Sequence, residues 1–191
     1  MNSKDLIAEA ACDVVLRSGI AALTVADVGR RAGVSSALVH YHFNTKRELL
    51  AAAAARLSAR RAEARLAALA SASGLASLDA LWAAVATGRG TDAERAGIDL
   101  VLLARRDASV RSTLGSQRRA ERESFARSLP GLFRDLGAIP TASWEETAST
   151  VLLFLDGVAL ALAGGFAAEE VRAAYDAYWL VVVAARPARG R

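Results

Sequence analysis

Gly33 follows Thr24 by nine residues and precedes Ser35 by two, and that spacing fixes how this stretch can fold. A threonine side chain accepts a bond from an orphan N–H in the first turn of a helix, so Thr24 opens one. Asp27, three residues on, puts negative charge near the positive end of the helix dipole. Glycine enters the left-handed conformation without strain, so Gly33 ends the helix after barely two turns. Ser35 then caps a second short helix near 35–42. Asn44 is a break, and Thr45 with Glu48 reads as a T-x-x-E capping box that opens a long helix reaching about Ala70. Two short helices joined by a tight glycine turn, with a third capped helix behind them, form a helix-turn-helix layout.

The rest of the chain is helical in pattern as well. A first helix runs from Ser3 to Ser18 with Leu6, Ile7, Ala10, Ala11, Val14 and Val15 on one face, and Gly19 caps it. Residues 71–77 read as a loop. Helices are expected from Ser77 or Leu78 to just before Gly88, from Thr91 to Asp107, and from about 108 to 128. Pro130 and Gly131 should interrupt the last of these, leaving a short piece to Leu136. A second loop covers 137–143, and Ser143 or Thr141 caps an apolar helix from Trp144 to Ala163. The last helix spans Ala167 to Ala185, before Pro187 and a basic tail. Neither strand alternation nor an internal repeat is present. The expectation is an all-α chain of about nine helices. Residues 1–49 would be a helix-turn-helix domain, helix 45–70 a connector, and residues 50–191 a helical regulatory, ligand-binding and dimerisation domain.

Charge singles out the head. Residues 1–65 hold ten Lys/Arg against six Asp/Glu, residues 66–191 fourteen against fourteen, and the net charge is +4. A basic head on a neutral body fits a polyanionic partner. Apolar residues make up 53% of the chain, enough for a sizeable core. The one cysteine, Cys12, lies among Ala10, Ala11, Val14 and Val15 and reads as a small buried residue. The N-terminus is polar, with no signal-peptide apolar region. Residues 151–165 are the most apolar run, too short for a bilayer and interrupted by Asp156. These features point to a cytoplasmic protein without a membrane partner. No phosphate-binding glycine loop or Gly-x-Ser-x-Gly elbow is present, so neither enzyme chemistry nor a cofactor is expected. His40 and His42, two residues apart, point to different helix faces, and Cys12 offers no third ligand, so no metal site is expected.

Within 24–49, Val28, Ala32, Val34, Val39 and Phe43 can pack inward, and the small Gly29 and Ala32 let the motif helices approach closely. The other face of the third helix offers Ser35, Ser36, Ala37, Leu38, His40 and Tyr41. Hydroxyls can donate to phosphates or bases, and Leu38 can meet a thymine methyl. Lys46 opens the next helix, where its ammonium and the helix N-terminus can hold a phosphate. Arg60, Arg61 and Arg65 read as a solvated helix face. The stretch resembles the DNA-binding domain of the TetR family. Thr24, Asp27, Ala32, Gly33, Val34, Ser35, His42, Phe43, Lys46 and Leu49 match its pattern in order and spacing. That resemblance implies a regulator whose Thr24, Ser36, Ala37, His40, Tyr41, His42 and Lys46 face double-stranded operator DNA. Ala37, Leu38, His40 and Gly29 stand where glycine, threonine, tyrosine and alanine are usual, which leaves the operator sequence open.

The segment 145–184 carries two apolar helices separated by Gly164, Gly165 and Phe166. Its apolar residues exceed one inward stripe, so a homodimer through a four-helix bundle is expected, with Val151, Leu155, Val158, Leu162, Tyr175, Trp179 and Val182 at the interface. The family resemblance implies the same two helices. LFLDGVALALA also resembles a BetI-type C-terminal domain. Residues 78–136 and their neighbours should frame a pocket for a small-molecule effector, with Trp82, Ile98, Asp99, Leu102, Phe125, Phe133, Trp144 and Phe154 as candidates. Asp156 suits either a ligand or an arginine at the subunit interface. The leading expectation is a repressor released from its operator by an apolar or amphiphilic ligand. The alternative is a regulator of the same fold controlled by a protein partner.

Overall fold

A computed structural model describes residues 2–87 and 89–184. Among them, all regular structure is helical: α1 (Ser3–Ser18), a 3₁₀ turn (Ile20–Ala22), α2 (Val25–Ala32), α3 (Ser36–His42), α4 (Lys46–Ala70), α5 (Leu75–Ala86), α6 (Arg89–Ala104), α7 (Ala108–Asp135), α8 (Trp144–Ala163) and α9 (Ala168–Ala184). The fold is all-α, as the sequence predicts, with nine α-helices among the described residues. The basic tail and the C-terminal end expected for the last helix lie outside them.

The boundaries follow the caps. Thr24, Ser35 and Ser143 each accept the backbone N–H three residues on, and Ser143 with Glu146 completes a capping box. At α4 the reciprocal bond is displaced: Thr45 Oγ1 accepts the Glu48 N–H, but the Glu48 carboxylate accepts from Asn44 N–H. α6 stops at Ala104, earlier than expected, because Asp107 Oδ1 accepts the Ser109 and Val110 N–H groups and so caps α7. α5 starts at Leu75, behind Gly74 at φ +58°, a conformation that suits glycine. The expected break at Pro130 does not occur, and α7 runs through it. A mid-helix proline costs about 3 kcal/mol. Leu129, Leu132 and Phe133, 5% exposed or less, flank it, and burial of each contributes about 1.5–3 kcal/mol, so packing outweighs the proline.

The chain divides into two compact units. The first comprises the residues up to Arg61 together with Arg95–Arg118. α1 packs against α2 and α3, and Ile7, Ala11, Leu23, Val28 and Val39 have no exposed surface. Cys12 is fully buried there, and burial pushes its thiol up to about 11, the range of an inert thiol. An ionic web lines the outside of α1. Arg56 meets Asp5 at 2.6 Å, Arg60 bonds Glu9 and meets Asp13 at 2.8 Å, and Arg31 meets Asp13 at 2.8 Å. Arg60 is therefore not a merely solvated side chain. At Asp13, burial alone would raise the carboxyl, but the hydrogen bonds from Arg31 and Arg60 outweigh it and hold it low.

The second unit comprises Ala62–Glu94 and Arg119 onward. Its core joins Leu78, Leu81 and Val85 of α5, Phe125, Leu129 and Phe133 of α7, Val151, Leu152 and Leu155 of α8, and Tyr175 and Trp179 of α9. The Tyr175 hydroxyl donates to the Leu78 carbonyl at 2.7 Å. Arg172 pairs with Asp79 and Asp176 and lies over the rings of Trp82 and Tyr175. α8 is longer than the apolar run alone implies: at 20 residues it has the length and composition to cross a bilayer. Val151, Leu152, Leu155 and Val158 on it serve the core of this unit, whereas Leu153 and Leu160 are exposed.

Arg65 corrects the sequence reading most sharply. It is 1% exposed, far from a solvated face. Its guanidinium meets Glu94 of α6 at 2.8 Å, Glu121 of α7 at 3.1 Å and Asp156 of α8 at 3.0 Å, all within the second unit. Asp156 thus pairs with an arginine of its own chain. Removing one member of a buried ion cluster leaves the others uncompensated, at about 3–5 kcal/mol, whereas an exposed pair contributes about 1 kcal/mol or less. Arg65→Ala should therefore lower the urea midpoint strongly, and Arg172→Ala, whose carboxylates are well exposed, should change it little. Equal effects would contradict this ranking.

Candidate nucleic-acid interface

The site is built on α3, a helix of seven residues. Val39 is fully buried and Phe43 is 5% exposed, which anchors one side of α3 in the core of the first unit. That anchoring turns Ser35, Ser36, Ala37, His40 and Tyr41 outward, all exposed, with Leu38 and His42 half-buried. Tyr41 is 79% exposed and meets only the edge of His42, with ring centroids 5.1 Å apart. A phenol left in water on a helix anchored by its opposite side adds nothing to the core and suits an outside partner.

Two of the predicted contact residues already have local work. Ser35 Oγ accepts the Leu38 N–H at 3.2 Å, so its hydroxyl proton alone is available to a partner. Thr24 Oγ1 accepts the Asp27 N–H at 3.1 Å and donates its proton to the Asp27 carboxylate. This bond, with the Arg30 guanidinium beside it, holds the Asp27 carboxyl below its ordinary value. A phosphate at this end of α2 would accept from Thr24 only if the Thr24 hydroxyl proton turned away from Asp27. Lys46 is exposed at the first position of α4, and its neighbour Arg47 reaches Asp107 at 3.1 Å.

The turn between α2 and α3 is set by two glycines for different reasons. Gly33 sits at φ +68°, a left-handed position that suits glycine, and its N–H closes onto the last turn of α2. Gly29 is buried, and a Cβ there would lie 2.9 Å from the Val34 carbonyl oxygen. That neighbour is main chain and cannot swing aside, so the departure from alanine at this position is matched by a closer turn.

The outward face of α3 and the paired short helices have the layout of a helix-turn-helix. Residues 7–53 match the family described as bacterial regulatory proteins, tetR family. The N-terminal domain belongs to the TetR family. Residues 7–53 are accordingly a helix-turn-helix domain of TetR type. No curated protein sequence matches the chain. Among solved structures, one described as a TetR-family transcriptional regulator from Rhodococcus sp. is 22% identical, with TM-score 0.77, over 95% of this chain and 98% of its own. The multidrug binding protein EbrR, complexed with imidazole, is 22% identical, with TM-score 0.62, over 100% and 99% of the two chains. A structure described as a transcriptional regulator from Saccharomonospora viridis, in complex with choline, is 17% identical, with TM-score 0.67, over 96% and 98%. At these identities the structures speak for the TetR-type fold alone.

The effector candidates divide between the units. Trp82, Phe125, Phe133, Trp144 and Phe154 belong to the second, whereas Ile98, Asp99 and Leu102 belong to the first. Phe125 and Phe133 are 0% and 1% exposed within the core. Phe133 meets Trp144 edge to face at 5.4 Å, and Trp82 meets Tyr175 at 5.3 Å. Asp99 is exposed and Leu102 is 57% exposed, so both face away from any packed interior. The expected interface residues need correction. Val151, Leu155, Val158, Tyr175 and Trp179 are at most 4% exposed within one chain, and Leu162 and Val182 pack partly against the same core. A side chain without exposed surface has none to bury on a partner. The apolar surplus lies two positions aside on α8, at Leu153 and Leu160, and one aside on α9, at Leu180 and Val181, each 58–72% exposed. Helical period alone does not tell the inward stripe from the outward one when both are apolar. Tyr178, one of the apolar-face residues of the last helix, is half-buried and stacked on Phe154 at 3.7 Å.

Gly29→Ala gains about 1 kcal/mol of helix propensity but forces an overpacked contact of about 1–3 kcal/mol against backbone. It should be net destabilising by about 1 kcal/mol, read as a lower thermal midpoint. A higher midpoint would show that the turn can open.

Proposed function

We propose that the protein is a cytoplasmic homodimeric repressor that binds double-stranded operator DNA through α3 and is released by a small apolar or amphiphilic effector held in the second unit. The observation that carries the DNA reading is the seven-residue α3, anchored through Val39 and Phe43, with Ser36, Ala37, His40 and Tyr41 all turned to solvent. Ser36, Ala37, Leu38, His40, Tyr41 and His42 would read base edges, while Thr24, Ser35 and Lys46 would hold phosphates. The exposed Leu153, Leu160, Leu180 and Val181 on α8 and α9 support the dimer, since soluble chains rarely leave so large an apolar face uncovered. Trp82, Trp144 and Phe154, all half-buried, support an effector in the second unit. Control by a protein partner is the second reading, and exposed Val101 and Leu102 on α6, 58% and 57%, favour it.

Repression through DNA makes two demands. Operator affinity should fall linearly in log–log salt, with a slope of about −0.9 per neutralised phosphate. Lys46→Ala should weaken all sequences alike and flatten that slope, whereas Ser36→Ala or Leu38→Ala should change base preference in a selection of bound DNA. A wild-type slope near zero excludes the reading.

The dimer demands a separation between two substitutions. Leu160→Glu, on the exposed face, should give a folded monomer by light scattering and circular dichroism. Leu155→Glu, without exposed surface, should unfold the chain, because a buried unpaired carboxylate costs several kcal/mol. A dimeric Leu160→Glu variant would move the interface elsewhere.

A further inference from the structure

The chain has two lysines among 24 basic residues, and both come to one place in the first unit. Lys46 opens α4, three residues after Phe43. Lys4, in the first turn of α1, holds its Nζ over the Phe43 ring, 5.8 Å from the centroid. Phe43 is 5% exposed and anchors α3, so its ring is a fixed seat that keeps Lys4 at the end of that helix. Both lysines are exposed. Neither ammonium has an ion pair or hydrogen bond among the described residues, whereas Arg30, Arg31, Arg47, Arg56 and Arg60 of the same unit all hold carboxylates. The acidic side chains nearest in sequence are turned elsewhere: Asp5 meets Arg56 at 2.6 Å, and Glu48 accepts from the Asn44 N–H at 3.0 Å.

We propose that Lys4 is a second backbone anchor: Lys4 and Lys46, beside the turn from α3 to α4, hold neighbouring phosphates of one strand of duplex DNA. An arginine fork matches a carboxylate through two parallel bonds, and five arginines of this unit are taken up by carboxylates. An ammonium is a compact point charge with freely turning donors, which suits a phosphate oxygen. The ring under Lys4 holds its apolar stem and cationic end in place before any phosphate arrives, so less freedom is lost on binding. Anchors on two separate helices, α1 and α4, also resist a rolling of α3 that one anchor would permit. The proposal rests on the reading that α3 faces DNA, and it adds to that face a residue outside the helix-turn-helix. A lysine that serves only to cover Phe43 is the competing account.

The test is titration of a fluorescently labelled random-sequence DNA duplex with the full chain, followed by anisotropy at several salt concentrations, since a phosphate contact carries no sequence information. Lys4→Met keeps the apolar stem on the ring and removes the charge. For each head on the duplex it should weaken binding about fivefold to tenfold at about 0.1 M salt and flatten the log–log salt slope by about 0.9, the loss of one released counterion. Lys4→Arg should keep the wild-type slope. Lys4→Met together with Lys46→Met should flatten it by about 1.8 per head. A Lys4→Met variant that melts lower but keeps the wild-type slope overturns the proposal, because Lys4 then serves Phe43 alone. An equal flattening in Arg17→Met overturns it too: Arg17 is exposed and unpaired among the described residues but lies in the last turn of α1, so the loss would reflect net charge and not a contact. The two readings fail separately. A normal wild-type slope that Lys46→Ala flattens and Lys4→Met does not removes the second anchor alone, whereas a wild-type slope near zero removes the DNA reading and the anchor with it.

Discussion

A guanidinium taken fully out of water has to be answered by carboxylates on all sides, and in the second unit Arg65 imposes that demand on three helices at once. Glu94, Glu121 and Asp156 come from α6, α7 and α8, and each meets one nitrogen or another of the same side chain at 2.8–3.1 Å. Apolar packing tolerates small rotations of a helix, since dispersion contacts are many and individually weak. A forked hydrogen-bond donor does not, because its directions are fixed. The register of these helices on α4 is therefore set by the ionic cluster, and the aromatic core of Phe125, Phe133 and Tyr175 fills the space so defined.

The first unit is organised on the opposite principle. Its charges lie outside, where Asp5, Glu9 and Asp13 of α1 take the arginines of α4 and α2 in half-exposed pairs. Such pairs add little stability each. Stability there comes from the small, fully buried residues Ile7, Ala11, Val28 and Val39, and from the tight turn at Gly29. A head with a dry core and a wet, charged outside can present polar side chains on α3 without disturbing what holds it together.

Much of this was legible in the sequence wherever local chemistry decides. Thr24, Gly33, Ser35 and Ser143 marked helix ends because capping is a matter of neighbouring residues. The direction of α3 was legible too, since Val39 and Phe43, four residues apart, fall on one side of it. What remained hidden depends on partners distant in sequence. Arg65 lies in an Ala/Arg-rich stretch indistinguishable by composition from a solvated face, and its carboxylates are 29, 56 and 91 residues away. Pro130 misled because a propensity rule was set against packing that only the fold supplies. In α8 and α9 both sides are apolar, so Leu155 and Leu160 looked alike although one has no exposed surface and the other is 58% exposed.

The close turn at Gly29 has a consequence for how such a protein can change. Because a side chain at Gly29 would run into the main chain of Val34, the turn that leads into α3 is set by backbone and not by the side chains that α3 carries outward. Ser36, Ala37, His40 and Tyr41 are then free to vary at surface cost, about half a kcal/mol each. The head separates the scaffold that holds α3 from the face that α3 turns outward, so a few exposed residues can be exchanged without the unit first having to be restabilised.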